Sequence, residues 1–223
     1  MVRPGFDLSK VNTVLYDLDG TLVDTNKLIY ESWSYTVKTL TGRVLTDEEI
    51  RRTYGEILRD SMIRLMPEID PEEALEFFRA YQRGIFLERI KLFDGVEETL
   101  RILKERGYKN GLVTSRLRAS TMNAVRHFNL DVFIDAIVTA SDIEVFKPDP
   151  APVYHILDKL GSKPEETVFV GDTIHDIEAG LASGVFTVLV DWSHAIPQDE
   201  RNDIPAPDAI IEKMQDLLTL VLK

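Results

Sequence analysis

The chain contains no cysteine among its 223 residues. This absence excludes disulfide bonds, zinc sites built on thiolates and cysteine nucleophiles. Disulfides are typical of secreted proteins, and their absence here is compatible with a reducing compartment. We therefore expect a cytoplasmic protein.

Long apolar runs and an excess of positive charge are also missing. No stretch approaches the roughly 18 consecutive apolar residues of a membrane-spanning helix, and the first ten residues lack the apolar segment of a signal peptide. Lys and Arg number 26 against 38 Asp and Glu, a formal net charge of −12. Because nucleic-acid-binding surfaces need clustered Lys and Arg, we expect neither a membrane nor a nucleic acid as partner.

What the sequence does contain is an alternating strand and helix pattern. Residues 12–17 form an apolar, β-branched run typical of a buried strand, and similar runs recur near 110–115, 133–140, 167–172, 185–191 and 208–211. Helical patterns separate them from residue 94 onward. This alternation predicts an α/β protein with a three-layer, Rossmann-like parallel sheet covered by helices on both faces.

The segment of residues 24–91 has a different character. Apolar residues recur at helical spacing, and two capping sequences begin at Thr46 and Asp70. We expect three or four helices here and no strand. Because this block follows the first strand, it is predicted to be a helical cap domain of residues 24–91 inserted into a core of residues 1–23 and 92–223.

Polar residues follow the predicted strands where each strand ends. In parallel α/β sheets, ligands bind at this edge. The residues concerned are Asp17 and Asp19 after the first strand, Thr114 and Ser115 after the second, Lys147 after the third, and Asp172 and Asp176 after the fourth.

Four carboxylates at one point would repel each other unless a cation lay among them. Oxygen ligands favour a hard ion, and a site with few protein ligands and room for water favours Mg²⁺ over Ca²⁺. Lys147 supplies a positive charge for a phosphate, and Thr114 supplies a neutral donor. The spacing of Asp172 and Asp176 predicts that both lie at a helix start, Asp172 being a possible N-cap.

These segments resemble the four ordered motifs of the haloacid dehalogenase-like hydrolase superfamily, in its phosphoglycolate phosphatase-like and pyrophosphatase-like branch with a helical cap. The resemblance spans residues 12–191, and the motifs are Asp17-Leu18-Asp19-Gly20-Thr21, Thr114, Lys147-Pro148 and Gly171-Asp172-Thr173-Ile174-His175-Asp176.

The resemblance implies a phosphatase in which Asp17 attacks phosphorus to form an aspartyl-phosphate. It implies that Asp19 protonates the leaving oxygen and then activates water. Thr114 and Lys147 would hold the phosphoryl oxygens. Mg²⁺ would be bound by Asp17, the backbone carbonyl of Asp19, and Asp172, with Asp176 in support.

Other residues are candidates for substrate binding. On the core these are Gly20, Thr21, Ser115 and Arg116, and on the cap they are Arg52, Tyr54, Gly55 and Arg59. The expected substrate is a small phosphorylated metabolite, such as phosphoglycolate, or pyrophosphate. The sequence leaves the choice of substrate open, and it leaves open whether the protein is a monomer or a homodimer.

Two alternatives to a phosphatase remain at this stage. The first is a phosphomutase of the β-phosphoglucomutase type, but those relatives carry a cap histidine where this chain has Ile29, which favours hydrolysis. The second is a non-catalytic phospho-aspartate signalling or binding module, which also uses acidic residues, Thr and Lys at strand ends. The order of the motifs and the predicted cap disfavour it.

Overall fold

The part of the chain that the structure describes contains eight strands, nine α-helices and three short 3-10 helices. The structure is a computed structural model, and it describes residues 5–54, 56–192, 194–196, 200–201 and 204–222. The strands are β1 (Thr13–Tyr16), β2 (Val23–Asp24), β3 (Lys91–Leu92), β4 (Lys109–Val113), β5 (Ala136–Val138), β6 (Thr167–Gly171), β7 (Phe186–Val190) and β8 (Ala209–Ile211). The helices are α1 (Asn26–Thr41), α2 (Asp47–Arg51), α3 (Leu58–Leu65), α4 (Pro71–Arg89), α5 (Val96–Glu105), α6 (Arg118–His127), α7 (Ala151–Leu160), α8 (Ile174–Ser183) and α9 (Asp216–Val221).

Six of the strands form one sheet in the order β5-β4-β1-β6-β7-β8, and every pair is parallel. All four residues of β1 are buried, as expected for an apolar strand with a neighbour on each side. Thr13 of β1 is in register with Lys109 of β4 and with Thr167 of β6. The carboxyl ends of these three central strands therefore meet at one edge of the sheet.

Helices cover both faces of this sheet. On one face, Leu15 of β1 packs in a buried apolar cluster with Val153 and Ile156 of α7. On the opposite face, the hydroxyl of Tyr16 donates to Asn110 (3.3 Å), and the Asn110 amide donates to the carbonyl of Leu100 in α5 (3.2 Å). Successive residues of a strand face opposite sides, so β1 serves both layers. The prediction of a parallel α/β fold is confirmed.

The chain divides into two compact units, one of Met1–Val23 with Leu92–Lys223 and the other of Asp24–Lys91. The second unit contains α1 to α4, with the caps that the sequence indicates: Thr46 and Glu49 form a reciprocal capping box, and the Asp70 side chain accepts from two backbone N–H groups of α4. Trp33 and Phe78 lie in its core.

The expectation of no strand between residues 24 and 91 was wrong at both ends of that segment. Asp24 belongs to β2 and Lys91 to β3, which pair as a two-stranded sheet where the chain enters and leaves the second unit. Two-residue strands carry too little alternation to be detected from sequence.

None of the helices within the described ranges has the length and apolar character needed to cross a bilayer.

Candidate active site

The carboxyl edge of the sheet brings together polar residues from several strands. Asp17 follows β1, Thr114 follows β4 and Asp172 follows β6 directly. All three side chains are buried. Buried polar groups need hydrogen-bond or charged partners, so the partners of these side chains indicate the chemistry of the site.

Lys147 lies at the centre of the cluster. Its ammonium donates to Asp17 Oδ1 (2.6 Å), to Asp176 Oδ1 (2.6 Å) and to the carbonyl of Val113 (3.2 Å). Its side chain is only 5% exposed. Burial alone would lower the pKa of Lys147, but the adjacent charges of Asp17 and Asp176 outweigh it and raise that pKa. The lysine is therefore a fixed positive charge beside Asp17.

The carboxylates outnumber this lysine. Carboxylate oxygens of Asp17, Asp172 and Asp176, one from each residue, all lie within 4.8 Å of one another. Three carboxylates and one ammonium leave a buried excess of negative charge, which is costly without a further cation. An all-oxygen donor set suits a hard divalent ion, so these residues fit a bound metal.

The pKa values of two of these carboxyl groups are raised. Burial, together with the charges of Asp176 and Asp19, raises the pKa of Asp17 to about 7, against the opposing effect of Lys147. Burial, followed by the charge of Asp17, raises the pKa of Asp172 well above its ordinary value. A bound divalent cation would reverse this tendency and favour the ionised forms.

Asp19 faces a different partner from Asp17. Both of its oxygens accept hydrogen bonds from the Arg116 guanidinium, Oδ2 from Nε and Oδ1 from Nη2, each at 2.9 Å. The pair is largely shielded from solvent, with side-chain exposures of 10% for Arg116 and 24% for Asp19. Sequence reasoning assigned Arg116 to substrate binding and missed this bidentate pairing, which holds the Asp19 carboxylate in one orientation.

Gly20 and Thr21 approach Asp172 from the first motif. The Thr21 hydroxyl donates to Asp172 Oδ1 (3.4 Å), and a Cβ on Gly20 would overlap the Asp172 carboxylate. Gly20 also has a φ of +83°, which favours glycine. These two residues therefore contact a carboxylate of the acidic cluster.

Thr114 and Ser115 differ in their surroundings. Thr114 is buried, its N–H donates to the carbonyl of Val138 (3.0 Å), and its hydroxyl accepts from the backbone N–H of Arg116 (3.2 Å). Ser115 is exposed. Thr114 is thus built into the turn at the end of β4.

The expectation that Asp172 and Asp176 share a helix start was wrong for Asp172. Helix α8 begins at Ile174 and its N-cap is Thr173, so Asp172 lies before the helix. Asp176 is the third residue of α8, and its Oδ2 accepts from the backbone N–H (3.0 Å) and the hydroxyl (2.6 Å) of Thr173. A threonine with an acidic residue three positions later forms a capping box, a signal that was present in the sequence.

The arginines of the second unit that were predicted to bind substrate pair with glutamates of the same unit. Arg52 Nε contacts Glu48 (2.8 Å), Arg59 Nε contacts Glu72 (3.0 Å), and both arginines are more than half exposed. Tyr54 packs against the apolar cluster of that unit. Gly55 lies outside the described residues. That these four residues meet a substrate stays a prediction.

Comparison with known proteins adds independent evidence. A protein-family model described as haloacid dehalogenase-like hydrolase matches residues 14–190. A pyrophosphatase PpaX from Halalkalibacterium halodurans is 37% identical over 212 residues, covering 95% of this chain and 97% of the relative.

Solved structures resemble the chain as well. A haloacid dehalogenase-like family hydrolase from Streptococcus pneumoniae superposes with a TM-score of 0.82 at 22% identity, covering 94% of this chain and 98% of that one. A predicted phosphoglycolate phosphatase from Haemophilus somnus gives 0.78 at 24% identity, covering 96% and 99%. At these identities the likeness shows the fold.

The family match and the pyrophosphatase relative, together with the buried aspartates and lysine at the carboxyl edge of the sheet, identify an enzyme of the phosphatase class. The chain belongs to the haloacid dehalogenase-like hydrolase family. The resemblance drawn from its four motifs is confirmed, and the relatives support an enzyme over a non-catalytic signalling module.

Proposed function

We propose that the protein is a Mg²⁺-dependent phosphatase that hydrolyses a small phosphorylated metabolite through an aspartyl-phosphate on Asp17. The observation that carries the proposal is the pairing of the buried Asp17 carboxylate with the Lys147 ammonium at 2.6 Å. A nucleophilic carboxylate beside a fixed cation can attack phosphorus while the charge of the phosphoryl oxygens is neutralised.

The reaction proceeds in two displacements. A carboxylate oxygen of Asp17 attacks phosphorus, the bond to the leaving oxygen breaks, and Asp19 gives its proton to that oxygen. A water molecule then attacks phosphorus, Asp19 takes its proton, and the bond between phosphorus and Asp17 breaks to release inorganic phosphate. The bidentate contact with Arg116 holds the Asp19 carboxylate in one orientation beside the first motif.

Asp17, Asp172 and the backbone carbonyl of Asp19 would hold Mg²⁺, which supplies neutralisation of the phosphoryl oxygens when bound. Asp176 would support them and not bind directly, because its two oxygens already accept hydrogen bonds from Lys147 and Thr173. Lys147 and Thr114 would bind phosphoryl oxygens, with Gly20, Thr21 and Ser115 lining the same site.

Two substrates are favoured over others. Pyrophosphate is supported by the name of the 37%-identical relative, and a phosphoglycolate-like phosphomonoester by the resemblance of the four motifs to the phosphoglycolate phosphatase-like branch. Transfer to a sugar hydroxyl, the phosphomutase reaction, is less favoured because Ile29 packs against the apolar cluster of the second unit and offers no acid–base group. A cytoplasmic location and a monomeric or dimeric state stay predictions.

The nucleophile is tested by Asp17→Asn with p-nitrophenyl phosphate and Mg²⁺. Because an amide oxygen cannot form the aspartyl-phosphate, we expect turnover to fall below detection while the far-UV circular dichroism stays that of the wild type. The matched control is Asp131→Asn, an exposed aspartate of the same unit, which keeps full activity. An Asp17→Asn protein as active as this control would overturn the assignment.

A further inference from the structure

Trp192 contacts the loop of the first motif. It is one of two tryptophans in the chain and follows β7 by two positions. Its indole N–H donates to the backbone carbonyl of Gly20 at 3.1 Å. Gly20 lies between Asp19 and Thr21, so this hydrogen bond is made to the loop that carries the proposed acid–base residue.

Gly20, whose carbonyl Trp192 contacts, is also closely packed. The Gly20 N–H donates to the carbonyl of Val23 (2.8 Å), and its α-carbon lies so close to Asp172 that a side chain would overlap that carboxylate. A shift of Gly20 would therefore move the adjacent Asp19 and alter the close approach to Asp172. The indole N–H opposes such a shift.

Trp192 is itself anchored. The N–H of the preceding Asp191 donates to the carbonyl of Ile211 (2.8 Å), and the Asp191 carbonyl accepts from Arg201 Nη2 (2.8 Å). The Trp192 ring packs on Phe93, with centroids 5.5 Å apart and planes at 43°. Phe93 in turn donates its N–H to the carbonyl of Leu22 (3.1 Å), which lies in the same loop as Gly20. A donor held in this way can orient the peptide that it contacts.

We propose that Trp192 is a positioning residue for the phosphatase reaction. Its indole N–H holds the Gly20 peptide so that Asp19 and the metal-site residue Asp172 keep the separation that the reaction requires. This inference rests on the proposed function, because it concerns the same acidic cluster. Trp192 touches no reacting atom in this role, and it acts through Gly20.

The first test is Trp192→Phe, which keeps an aromatic side chain beside Phe93 and removes the N–H donor together with the five-membered ring of the indole. We expect kcat with p-nitrophenyl phosphate to fall about tenfold, since sub-ångström displacement of catalytic groups is costly. KM should change little, because Lys147 and Thr114 are untouched. The Mg²⁺ concentration that gives half-maximal activity should rise several-fold because Asp172 is displaced. The matched control is Trp33→Phe, in the core of the other unit, which should keep both values.

A second measurement leaves Trp192 in place and reads its surroundings. In the Trp33→Phe protein Trp192 is the sole tryptophan, and we expect its fluorescence to change when Mg²⁺ and beryllofluoride, a phosphoryl analogue, are added. In the Trp192→Phe protein, where Trp33 alone emits, the spectrum should stay constant. The measurement on the Trp33→Phe protein applies even if Trp192→Phe folds poorly.

The outcomes separate this inference from the proposed function. If the wild type hydrolyses p-nitrophenyl phosphate but Trp192→Phe matches it in kcat and Mg²⁺ dependence, the positioning role is wrong. A Trp192 emission unchanged by Mg²⁺ and beryllofluoride in an active protein would also overturn it. If instead the wild type shows no phosphatase activity, or Asp17→Asn retains it, the proposed function fails first.

Discussion

Lys147 shows how single residues balance charge in the buried cluster. Its ammonium is shared between Asp17 and Asp176, so each of these carboxylates has a partner of opposite charge. Asp172 also accepts a hydrogen bond from the Thr21 hydroxyl (3.4 Å). Asp17, Asp172 and Asp176 place three carboxylates beside this ammonium, so a divalent cation bound among them would be stabilised.

Substitutions of Arg116 distinguish a role in orienting Asp19 from a role in binding substrate. If its bidentate pairing orients Asp19, Arg116→Gln should lower kcat about tenfold or more and leave KM nearly unchanged. The loss should be greater for an alkyl phosphate than for p-nitrophenyl phosphate, because a poor leaving group depends more on its proton donor. Arg116→Lys should recover only part of the rate, since an ammonium cannot make the two parallel contacts.

The control for this prediction is Arg118→Gln, two residues further along, because Arg118 pairs with Asp142 and not with Asp19. A rise in KM at unchanged kcat in Arg116→Gln would instead support the substrate-binding role expected from the sequence. Equal kinetics of the two variants would contradict both roles.

At the scale of elements, a charged network joins the start of α6 to the loop after β5. Arg118, the first residue of α6, contacts both oxygens of Asp142, and Asp142 also accepts from the backbone N–H (2.8 Å) and hydroxyl (2.6 Å) of Thr139. Burial alone would raise the pKa of Asp142, but these hydrogen bonds lower it to about 2. The ionised form therefore stabilises the folded protein.

This network predicts a pH-dependent stability difference. A carboxyl group with a lowered pKa contributes stability above its unfolded value near 4, and that contribution is lost as the pH falls through the folded value of about 2. We expect Asp142→Asn to lower the free energy of unfolding by about 1–2 kcal/mol at pH 7 and by less as the pH falls below about 4. Urea unfolding from pH 7 to pH 3 measures it.

The comparison variant for this prediction is Asp131→Asn, an exposed aspartate in the same unit, which should match the wild type throughout. A difference between Asp142→Asn and the wild type that stayed constant with pH would show that shape, and not charge, accounts for the loss.

At the scale of the whole molecule, metal binding should stabilise the folded chain. A ligand at 100 times its Kd adds about 2.7 kcal/mol to the free energy of unfolding. We therefore expect Mg²⁺ with beryllofluoride to raise the melting temperature by several degrees over protein in chelator, and Asp17→Asn to lose the additional effect of beryllofluoride. Differential scanning calorimetry gives the shift. Identical melting in Mg²⁺ and in chelator would refute the metal site.

The sequence was sufficient for features that depend on neighbours in the chain. Strand ends, helix caps and the parallel α/β class follow from apolar periodicity and from residues a few positions apart, which is why the polar residues Asp17, Thr114 and Asp172 could be assigned to strand ends in advance. The strands β2 and β3 were missed because two residues carry too short a signal. The N-cap at Thr173 was missed because the adjacent aspartate is an equally good N-cap residue by type.

The partners within the site were decided by tertiary structure alone. Lys147 and Asp17 are 130 residues apart, Arg116 and Asp19 are 97 apart, and Trp192 and Gly20 are 172 apart. Such pairs form because strand order places β4 and β6 on either side of β1, with β7 next to β6. No local pattern encodes that order, since it results from packing the whole sheet against its helices.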